Sequence, residues 1–423
     1  MITEPVVNMN EWESILLEGV ELFDQNARQV AKLLTEKRII EVIELKSGLS
    51  ITTNSYVGRI KLGFLQININ PKINGMPLYE LLKYAYGLRD LKLFNTANHS
   101  FDNFSFFDLL IYELYIEAEN LMRRGIQKSY IQKEENRSSP RGKIDMNQLC
   151  NQGGLTKGTL PCKYFNRDED HILNRVMLAG IKLGLKLVID DELKINLRRL
   201  CYRLEETIQD IPLSRNSLRL AQNNISRLTG RYSSLLEIIN ILYESQGIQL
   251  EDETSRIDLR GYFFDMNAFF ENLVGRLLVN CSDGYSLKEQ FSLHNLFMYT
   301  PGFNPNRRKS PTPRPDFALM VDGKVLKVMD AKYRDLWART LPSEMLYQLS
   351  IYALSVIGNG TATILYPSIN DIPIVQKIDI NDPISGSKLA SVILQPINLM
   401  KIAQFVTNDQ HNLKAYVNHL SMH

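Results

Sequence analysis

Cysteine is scarce in this sequence, and the few cysteines are widely separated. The 423 residues include four, Cys150, Cys162, Cys201 and Cys281. No two of them form a Cys-x-x-Cys pair, and no histidine lies beside them at the spacing of a zinc ligand set. This pattern indicates neither a disulfide scaffold nor a structural zinc site, and it favours buried thiols in a reducing compartment.

Long apolar runs are also missing. No stretch of about 18 consecutive apolar residues occurs anywhere in the chain. The opening segment MITEPVVNMNEWE lacks a basic region followed by an apolar region, which a secretory signal requires. We therefore expect a soluble cytoplasmic protein that makes no membrane contact.

An excess of one charge is absent as well. Lys and Arg number 49 against 47 Asp and Glu, which gives a formal net charge of +2. A nucleic-acid partner would therefore have to be held by local basic patches rather than by bulk charge. The sequence has no GxxxxGK[ST] loop, so we expect that this chain does not itself hydrolyse nucleoside triphosphates. The histidines show neither metal-ligand nor catalytic-triad spacing.

The composition that is present is typical of a folded chain with several domains. Hydrophobic residues make up 44% of the sequence and charged residues 23%, and a prior of about 150 residues per domain predicts two or three domains. We predict an α+β multidomain fold with three parts. These are a β-rich domain over residues 1–135, a mainly helical connecting region over residues 136–255, and a mixed α/β domain over residues 256–423.

Local patterns set these boundaries. Leu65, Ile67 and Ile69 alternate with polar residues, which is typical of a half-buried strand. The polar segment QKEENRSSPRGK has almost nothing apolar to bury, so we place a domain junction near it. Close to the end of the chain, KLASVILQPINLMKIAQFV predicts a helix interrupted by Pro396.

The segment RPDFALMVDGKVLKVMDAKY carries the strongest chemical signal. It predicts two apolar strands joined at Asp322-Gly323, a dipeptide typical of tight hairpins. Asp316, Asp330 and Lys332 are the polar exceptions in these strands. Carboxylates at the rim of a buried sheet are costly unless they are compensated, and a divalent cation is the usual compensation when two of them converge.

The loop of this hairpin decides whether the two carboxylates meet. A two-residue loop that pairs Val321 with Lys324 would send Asp316 and Asp330 to opposite faces, because side chains alternate along a strand. A three-residue loop would place Asp316 directly across from Asp330, with Lys332 further along the same face. We therefore predict an odd-length loop or a β-bulge in this hairpin.

The motif of this hairpin resembles that of a known family. Pro315-Asp316, followed by a hairpin and then Asp330-Ala331-Lys332, resembles the signature of the PD-(D/E)xK nuclease superfamily. More narrowly, the chain resembles the McrC family, the nuclease subunits of McrBC-type, 5-methylcytosine-specific restriction systems. The segments that carry this resemblance span most of residues 56–367 and are VGRIKLGFLQININPKI, LLKYAYGL, SPRGKI, CKYFNRDEDHILNR, RPDF and DAKY. The resemblance implies that residues 256–423 form a restriction-endonuclease-like α/β/α domain with a mixed central sheet.

The resemblance also fits a specific chemistry for the hairpin. Asp316 and Asp330 would hold Mg²⁺, and Lys332 would contact the attacking water or the scissile phosphate. The main-chain carbonyl of Ala331 is an additional metal ligand that the superfamily implies. Glu271, on a predicted helix, would be a further metal-binding acid, and the alternative is an ordinary solvated glutamate.

Two further groups of residues are candidates for handling the substrate. Gln348 matches a helix glutamine that follows DxK in the superfamily, and it would orient the phosphate or the water; otherwise it is a helix-surface amide. A basic, proline-rich loop precedes Asp316 and would guide the DNA backbone without reading its sequence. Its charged residues are Arg307, Arg308, Lys309 and Arg314. Solvated surface charge is the alternative for this loop.

The function expected from this reading is that of a Mg²⁺-dependent DNA endonuclease subunit in a modification-dependent restriction complex. The McrC resemblance implies a partner AAA+ GTPase of the McrB type, a hexamer that binds the GTP and contacts the N-terminal half of this chain. Double-stranded DNA would bind the C-terminal domain, and that domain could also pair with a second copy of itself. The alternatives are the nuclease subunit of a sequence-specific McrBC-like system, and a catalytically silent scaffold that activates the motor.

Overall fold

The computed structural model describes residues 5–422, apart from residues 23, 74, 88–105, 152, 246–260, 282–283 and 356–359. The described residues form sixteen β-strands and twelve α-helices. They group into two compact units. One unit comprises Met1–Phe106 together with Gly247–His423, and the other comprises Phe107–Gln246. The α+β fold class predicted from the sequence is confirmed.

Two small sheets occupy the N-terminal part of the first unit, with strand orders β1-β6-β5-β10 and β2-β4-β3. The strands are β1 (Val6–Asn10), β2 (Ser14–Glu18), β3 (Ile40–Leu45), β4 (Gly48–Thr53), β5 (Tyr56–Leu62), β6 (Leu65–Asn70) and β10 (Gly261–Asp265). Leu65, Ile67 and Ile69 of β6 are buried, as their alternation predicts, and they share a core with helix α1 (Gln25–Glu36). Helix α2 (Gly75–Tyr86) follows β6.

A six-stranded mixed sheet forms the C-terminal part of the same unit, in the order β11-β12-β13-β14-β16-β15. Its strands are β11 (Ser286–Glu289), β12 (Phe317–Val321), β13 (Lys324–Ala331), β14 (Thr361–Ser368), β15 (Gln376–Asn381) and β16 (Lys388–Asn398). The three neighbours β13, β14 and β16 run parallel. The accompanying helices are α9 (Met266–Cys281), α10 (Ser343–Leu354), α11 (Leu399–Asn408) and α12 (Gln410–Met422).

Helices cover both faces of this sheet. Successive side chains of its central strands point to opposite faces, so they pack against different helices. Val328, Ile364 and Leu394 share a buried cluster with residues of α10. The adjacent residues Met329 and Leu365 instead meet the apolar residues of α9 and α12 around a small cavity. Burial on both faces explains why these strands are almost continuously apolar.

The second unit combines a small sheet with six helices. The sheet has the order β7-β9-β8, and its strands are β7 (Ser129–Arg137), β8 (Lys143–Ile144) and β9 (Leu160–Asp168). The helices are α3 (Phe106–Arg124), α4 (Met146–Asn151), α5 (Ile172–Leu187), α6 (Asp191–Glu205), α7 (Arg215–Asn223) and α8 (Ser233–Ser245). Buried Asn174 satisfies its polar atoms by accepting from the Tyr232 hydroxyl and donating to the Gln127 carbonyl.

The two units differ from the three predicted domains. The proposed junction near residue 135 falls inside β7, which pairs with β9 along its whole length. Strand β10 lies more than 190 residues after β5 yet pairs with it, so the chain on both sides of the second unit builds one structure. At Gly58 of β5, a side chain would collide with the carbonyl of Tyr262, so glycine permits this close pairing.

A second difference concerns the predicted helix near the C-terminus. Residues 388–398 form strand β16 rather than helix, and only the following residues are helical, in α11. The run SVIL is apolar at every position, which a helix and a doubly buried strand share. These residues form a strand because β14 and β15 pair with them, one on each side.

The predictions about thiols and membrane segments can be compared with the same residues. Cys162, Cys201 and Cys281 are buried, whereas Cys150 is exposed, contrary to the expectation that all four lie in the core. Of the helices that the structure describes, none is both long and apolar enough to span a bilayer.

One buried cation destabilises the C-terminal sheet and gives a testable pH dependence. Lys327 of β13 is 7% exposed and donates to the carbonyl of Leu420, and burial lowers the pKa of Lys327 to about 8. The folded chain therefore releases this proton more readily than the unfolded chain. The unfavourable contribution is fully present below pH 8 and disappears as the pH rises towards the ordinary lysine value of about 10.4.

Replacing Lys327 by methionine should therefore stabilise the protein. We expect a gain of about 1–2 kcal/mol in the free energy of unfolding at pH 7, after subtracting about 1 kcal/mol for the lost hydrogen bond. The gain should shrink as the pH is raised from 8 to 10.5, as measured by urea unfolding. Lys324→Met, at an exposed position of the same strand, is the matched control. An equal gain in both variants at every pH would contradict the assignment.

Candidate functional site

A β-bulge in the β12–β13 hairpin sets the geometry of the site. Val321 pairs with Lys324 across the two-residue turn Asp322-Gly323, and both turn residues have positive φ. The register then shifts, because Met320 pairs with Val325 and Leu319 pairs with Lys327, which leaves Leu326 as the extra residue. Beyond the bulge Phe317 pairs with Met329, so Asp316 lies opposite Asp330. The bulge alternative predicted from the sequence is confirmed.

The two carboxylates and the lysine predicted from the sequence lie together at one end of this hairpin. Asp330 is 2% exposed and Asp316 is 9% exposed. The Nζ atom of Lys332 is 2.8 Å from Oδ2 of Asp330 and 3.8 Å from Oδ2 of Asp316. The amide of Ala331 donates to Oδ2 of Asp316 over 2.9 Å. The hairpin therefore brings the ammonium group of Lys332 close to both carboxylates.

The pKa shifts indicate that the nearby positive charge does not balance the two carboxylates of Asp316 and Asp330. Burial and the neighbouring charge of Asp330 raise the pKa of Asp316 to about 7, although Lys332 and the Ala331 amide oppose the rise. Burial alone would lower the pKa of Lys332, but the charges of Asp330 and Asp316 outweigh it and raise that pKa. One lysine does not fully compensate two buried carboxylates, so the site favours an additional cation.

The donor set suits a magnesium ion. An N–H and a C=O of one strand residue point to the same side, so the carbonyl of Ala331 faces the same way as its amide, towards Asp316. Two carboxylates and a carbonyl are oxygen ligands of the kind that Mg²⁺ takes, with water and substrate phosphate completing its shell. Among the described residues, no three His, Cys, Asp or Glu side chains lie close enough to hold a metal by themselves. The protein can thus supply part of a magnesium shell.

Glu271 reaches this site through a residue that the sequence analysis missed. Gln290 directly follows β11, with φ at +49°. Its Nε2 donates to Oε1 of Glu271 and lies 3.4 Å from Oδ1 of Asp316, while its Oε1 accepts from Nε of Arg314 over 2.8 Å. Gln290 therefore links the acid on α9, the acidic hairpin and a basic residue. No sequence motif marks Gln290.

Gln348 lies on α10 and does not contact the carboxylates directly. Its Nε2 donates to the hydroxyl of Tyr352 over 2.7 Å, one helical turn away. Burial raises the pKa of Tyr352, and the charges of Asp330 and Asp316 add to this rise, which places the hydroxyl within electrostatic range of the site. Tyr352 is a second residue that the sequence analysis did not assign to the site.

The structure separates the four basic candidates into two groups. Arg314 reaches the site through its contact with Gln290. The side chains of Arg307, Arg308 and Lys309 are exposed, and within the described chain no hydrogen bond or ion pair joins them to Asp316 or Asp330. Asn304 bonds both backbone groups of Arg308 and so shapes this loop.

Comparison with known proteins identifies the family. A family model described as "McrBC 5-methylcytosine restriction system component" matches residues 51–367, which include the whole acidic hairpin and Gln348. The chain belongs to the McrBC family. The McrC resemblance drawn from the motifs is thereby confirmed. No curated protein matches the sequence.

A solved structure of an McrBC assembly shares this fold. One similar chain belongs to the refined half-complex from the tetradecameric assembly of Thermococcus gammatolerans McrB AAA+ hexamers with bound McrC. It has a TM-score of 0.65 and 19% identity, and the match covers 96% of this chain and 100% of that chain. A chain of the cryo-EM structure of the Thermococcus gammatolerans McrBC complex gives a TM-score of 0.46 and 19% identity over 65% of this chain and 87% of that chain.

Proposed function

We propose that this member of the McrBC family is the DNA endonuclease subunit of a modification-dependent restriction complex and hydrolyses phosphodiester bonds with Mg²⁺. The observation that carries the proposal is the convergence of Asp316, Asp330 and Lys332, which the bulge at Leu326 produces. A buried pair of carboxylates with one lysine at its edge has no evident structural purpose, since burial makes it costly.

Each residue has a chemical task in this proposal. Asp316, Asp330 and the carbonyl of Ala331 would hold Mg²⁺, which when bound supplies an activated water and neutralises charge on the phosphate. Lys332 donates to the attacking water or to a phosphate oxygen, where its positive charge stabilises negative charge that develops in the transition state. Glu271 is the further acid, held towards the site by Gln290. Gln348 and Tyr352 position the water or the phosphate.

The basic residues of the preceding loop have a separate task. Arg314 is exposed and touches Gln290, so it can bind a phosphate beside the scissile one. Arg307, Arg308 and Lys309 extend this positive charge along an exposed loop. Such contacts hold the DNA backbone and carry no sequence information, so target selection belongs elsewhere in the complex.

The proposal includes a motor partner. The similar Thermococcus gammatolerans structure contains McrB AAA+ hexamers with bound McrC, and we extend that arrangement to this chain. An McrB-like hexamer would bind GTP and contact the N-terminal half of this protein. That contact would stimulate GTP hydrolysis by the hexamer. The complex would act in the cytoplasm against foreign DNA, with pairing of two nuclease domains as an additional contact.

The proposal is tested with the full chain and an McrB-like AAA+ GTPase. We expect DNA containing 5-methylcytosine to be cleaved when both proteins, GTP and Mg²⁺ are present, and not when EDTA replaces Mg²⁺. The chain should also raise GTP hydrolysis by its partner. Equal cleavage of unmethylated DNA at one fixed sequence would favour a sequence-specific system. Stimulated GTP hydrolysis without any cleavage would favour a silent scaffold.

Gln290 offers a sharper test of the site geometry. Gln290→Asn keeps an amide and tolerates the positive φ, but it is one methylene shorter and cannot bridge Glu271 and Asp316. We expect cleavage to fall about 10- to 100-fold, the range for residues that orient metal ligands. The loss should be partly recovered at high Mg²⁺ concentration. Gln222→Ala, at an exposed position of α7, is the control, and equal rates for both variants would contradict the role of Gln290.

A further inference from the structure

A pocket lies next to the acidic hairpin and is not used by the proposed chemistry. It has a volume of about 260 Å³ and is lined by Trp12, Tyr333, Arg334, Trp337 and, at the ends of neighbouring elements, Ser368 and Leu399. We call it the tryptophan pocket. It contains both tryptophans of the chain. Residues that line it come at or just after the carboxyl ends of the parallel strands β13, β14 and β16. Open α/β sheets bind ligands at this edge.

Two hydrogen-bond donors in the tryptophan pocket lack acceptors. Nε1 of Trp12 and Nε of Arg334 are buried, and neither has a hydrogen-bond partner among the described residues. A buried donor without an acceptor is costly, and such groups are rare in folded proteins unless a ligand or water satisfies them. Both donors belong to residues that line the pocket, so a ligand that enters it and displaces these side chains slightly would supply the missing acceptors.

Two guanidinium groups lie close to the same indole, while the buried carboxylate of Glu11 accepts from the amide of Lys72 and the hydroxyl of Tyr333. The guanidinium groups of Arg334 and Arg339 lie 5.4 Å and 6.0 Å from the ring centre of Trp12, and Lys72 also lines the pocket. Burial and the charge of Arg339 lower the pKa of Arg334, as expected for two cations held together. The one acidic side chain among the pocket residues, Asp335, already accepts from the amides of Trp337 and Ala338. An anionic ligand would relieve this repulsion.

The conformation of Trp12 is a further indication that the pocket is a built site. Its φ is +60°, a region that bulky side chains rarely adopt. Neighbouring structure holds it there, since the carbonyl of Trp12 accepts from Nη2 of Arg339 and its amide donates to the carbonyl of Asn54. Strain of this kind concentrates at ligand-binding positions.

We infer that the tryptophan pocket binds one unpaired nucleotide of the DNA strand that passes the acidic hairpin, rotated out of the duplex, with its base against an indole and its acceptor atoms on Arg334 and Trp12. A flat ring joined to an anion is the chemistry that two indoles and adjacent guanidinium groups recognise. The volume is near the lower end of the range for small-molecule sites, about 300 Å³ and above, which suits a single nucleotide. This inference rests on the proposed DNA substrate.

The position in the chain favours DNA over an acidic protein. Arg334 is two residues after Lys332, and two residues span at most about 7 Å. That distance is comparable with the rise of two nucleotides along the axis of B-DNA, about 3.4 Å each. A strand whose phosphate lies at Lys332 therefore has a neighbouring nucleotide within reach of the tryptophan pocket.

Intrinsic fluorescence tests this inference directly, because both fluorescent tryptophans line the pocket. The full chain is titrated in EDTA, where cleavage cannot occur, with dAMP, with dCMP and with a single-stranded DNA of about eight nucleotides. We expect each of these probes to quench the tryptophan fluorescence in a saturable way. Arg334→Ala should weaken the affinity for these probes by about tenfold or more. Trp337→Phe should retain quenching through Trp12. Arg167→Ala removes a cation that lies 5.6 Å from the ring of Tyr130 outside the pocket, and it should bind as the wild type does.

Distinct outcomes would overturn the inference. Absence of quenching by every nucleotide probe would reject it, and so would equal affinity for inorganic phosphate alone, since the base would then contribute nothing. Displacement of nucleotide by a short polyglutamate peptide that binds more tightly would assign the pocket to an acidic protein partner. Because binding is measured without metal, a chain that cleaves DNA but shows no quenching rejects only the pocket. A chain that binds nucleotide but never cleaves DNA rejects only the nuclease.

Discussion

Replacement of Asp330 by asparagine is expected to lower Mg²⁺-dependent DNA cleavage by more than about 100-fold, the upper end of the loss seen for residues that merely orient metal ligands. Asp330 is almost fully buried and lies directly opposite Asp316. Asparagine has nearly the same shape but removes the charge, so the site would keep one of its two carboxylates. The loss corresponds to at least about 2.7 kcal/mol of transition-state stabilisation.

The Asp330→Asn variant should remain folded and bind its partner. Removing the charge of Asp330 relieves its repulsion with Asp316 but also weakens its 2.8 Å ion pair with Lys332, so the melting temperature should change little. Asp322→Asn, in the exposed hairpin turn, is the matched control, because asparagine also tolerates the positive φ found there. Cleavage, melting temperature and stimulation of GTP hydrolysis are measured for both variants. A wild-type cleavage rate in Asp330→Asn would remove this residue from the metal site.

Substitution of Lys332 separates the effect of charge from that of shape. Lys332→Arg keeps the positive charge but replaces a compact ammonium group with a broad planar fork. The ammonium group fits between the carboxylates of Asp330 and Asp316, at 2.8 Å and 3.8 Å. We expect arginine to be unable to contact these groups and a single water or phosphate oxygen at the same time. Activity should therefore fall by more than about 100-fold in Lys332→Arg and in Lys332→Ala.

DNA affinity should change little in either Lys332 variant. Most of the binding free energy comes from many salt-sensitive contacts to the DNA backbone, whereas this lysine acts mainly in the transition state. Cleavage is measured with saturating partner, GTP and Mg²⁺, and DNA affinity is measured separately in EDTA. Lys324→Ala, at the exposed start of the same strand, is the control. Near-normal cleavage in both Lys332 variants would show that Lys332 is only a lysine at the end of a strand.

The sequence by itself determined which polar side chains the hairpin brings together. Asp316, Asp330 and Lys332 are the polar exceptions in two apolar strands, and the Asp322-Gly323 turn joins those strands locally. Alternation along a strand then required a bulge or an odd-length loop for the carboxylates to meet. These inferences succeeded because they depend on residues close together in the chain, where the geometry follows from the period of the strand.

Only the tertiary structure decided which distant segments join this site and which elements complete the fold. Gln290 contacts Glu271 and Arg314, and Trp12 and Trp337 line one pocket although they are more than 300 residues apart. Strand β10 joins the N-terminal sheet, and residues 388–398 become a strand because neighbours pair with them on both sides. An apolar run fits a buried helix or a buried strand equally well, so long-range pairing supplies the free energy that chooses between them.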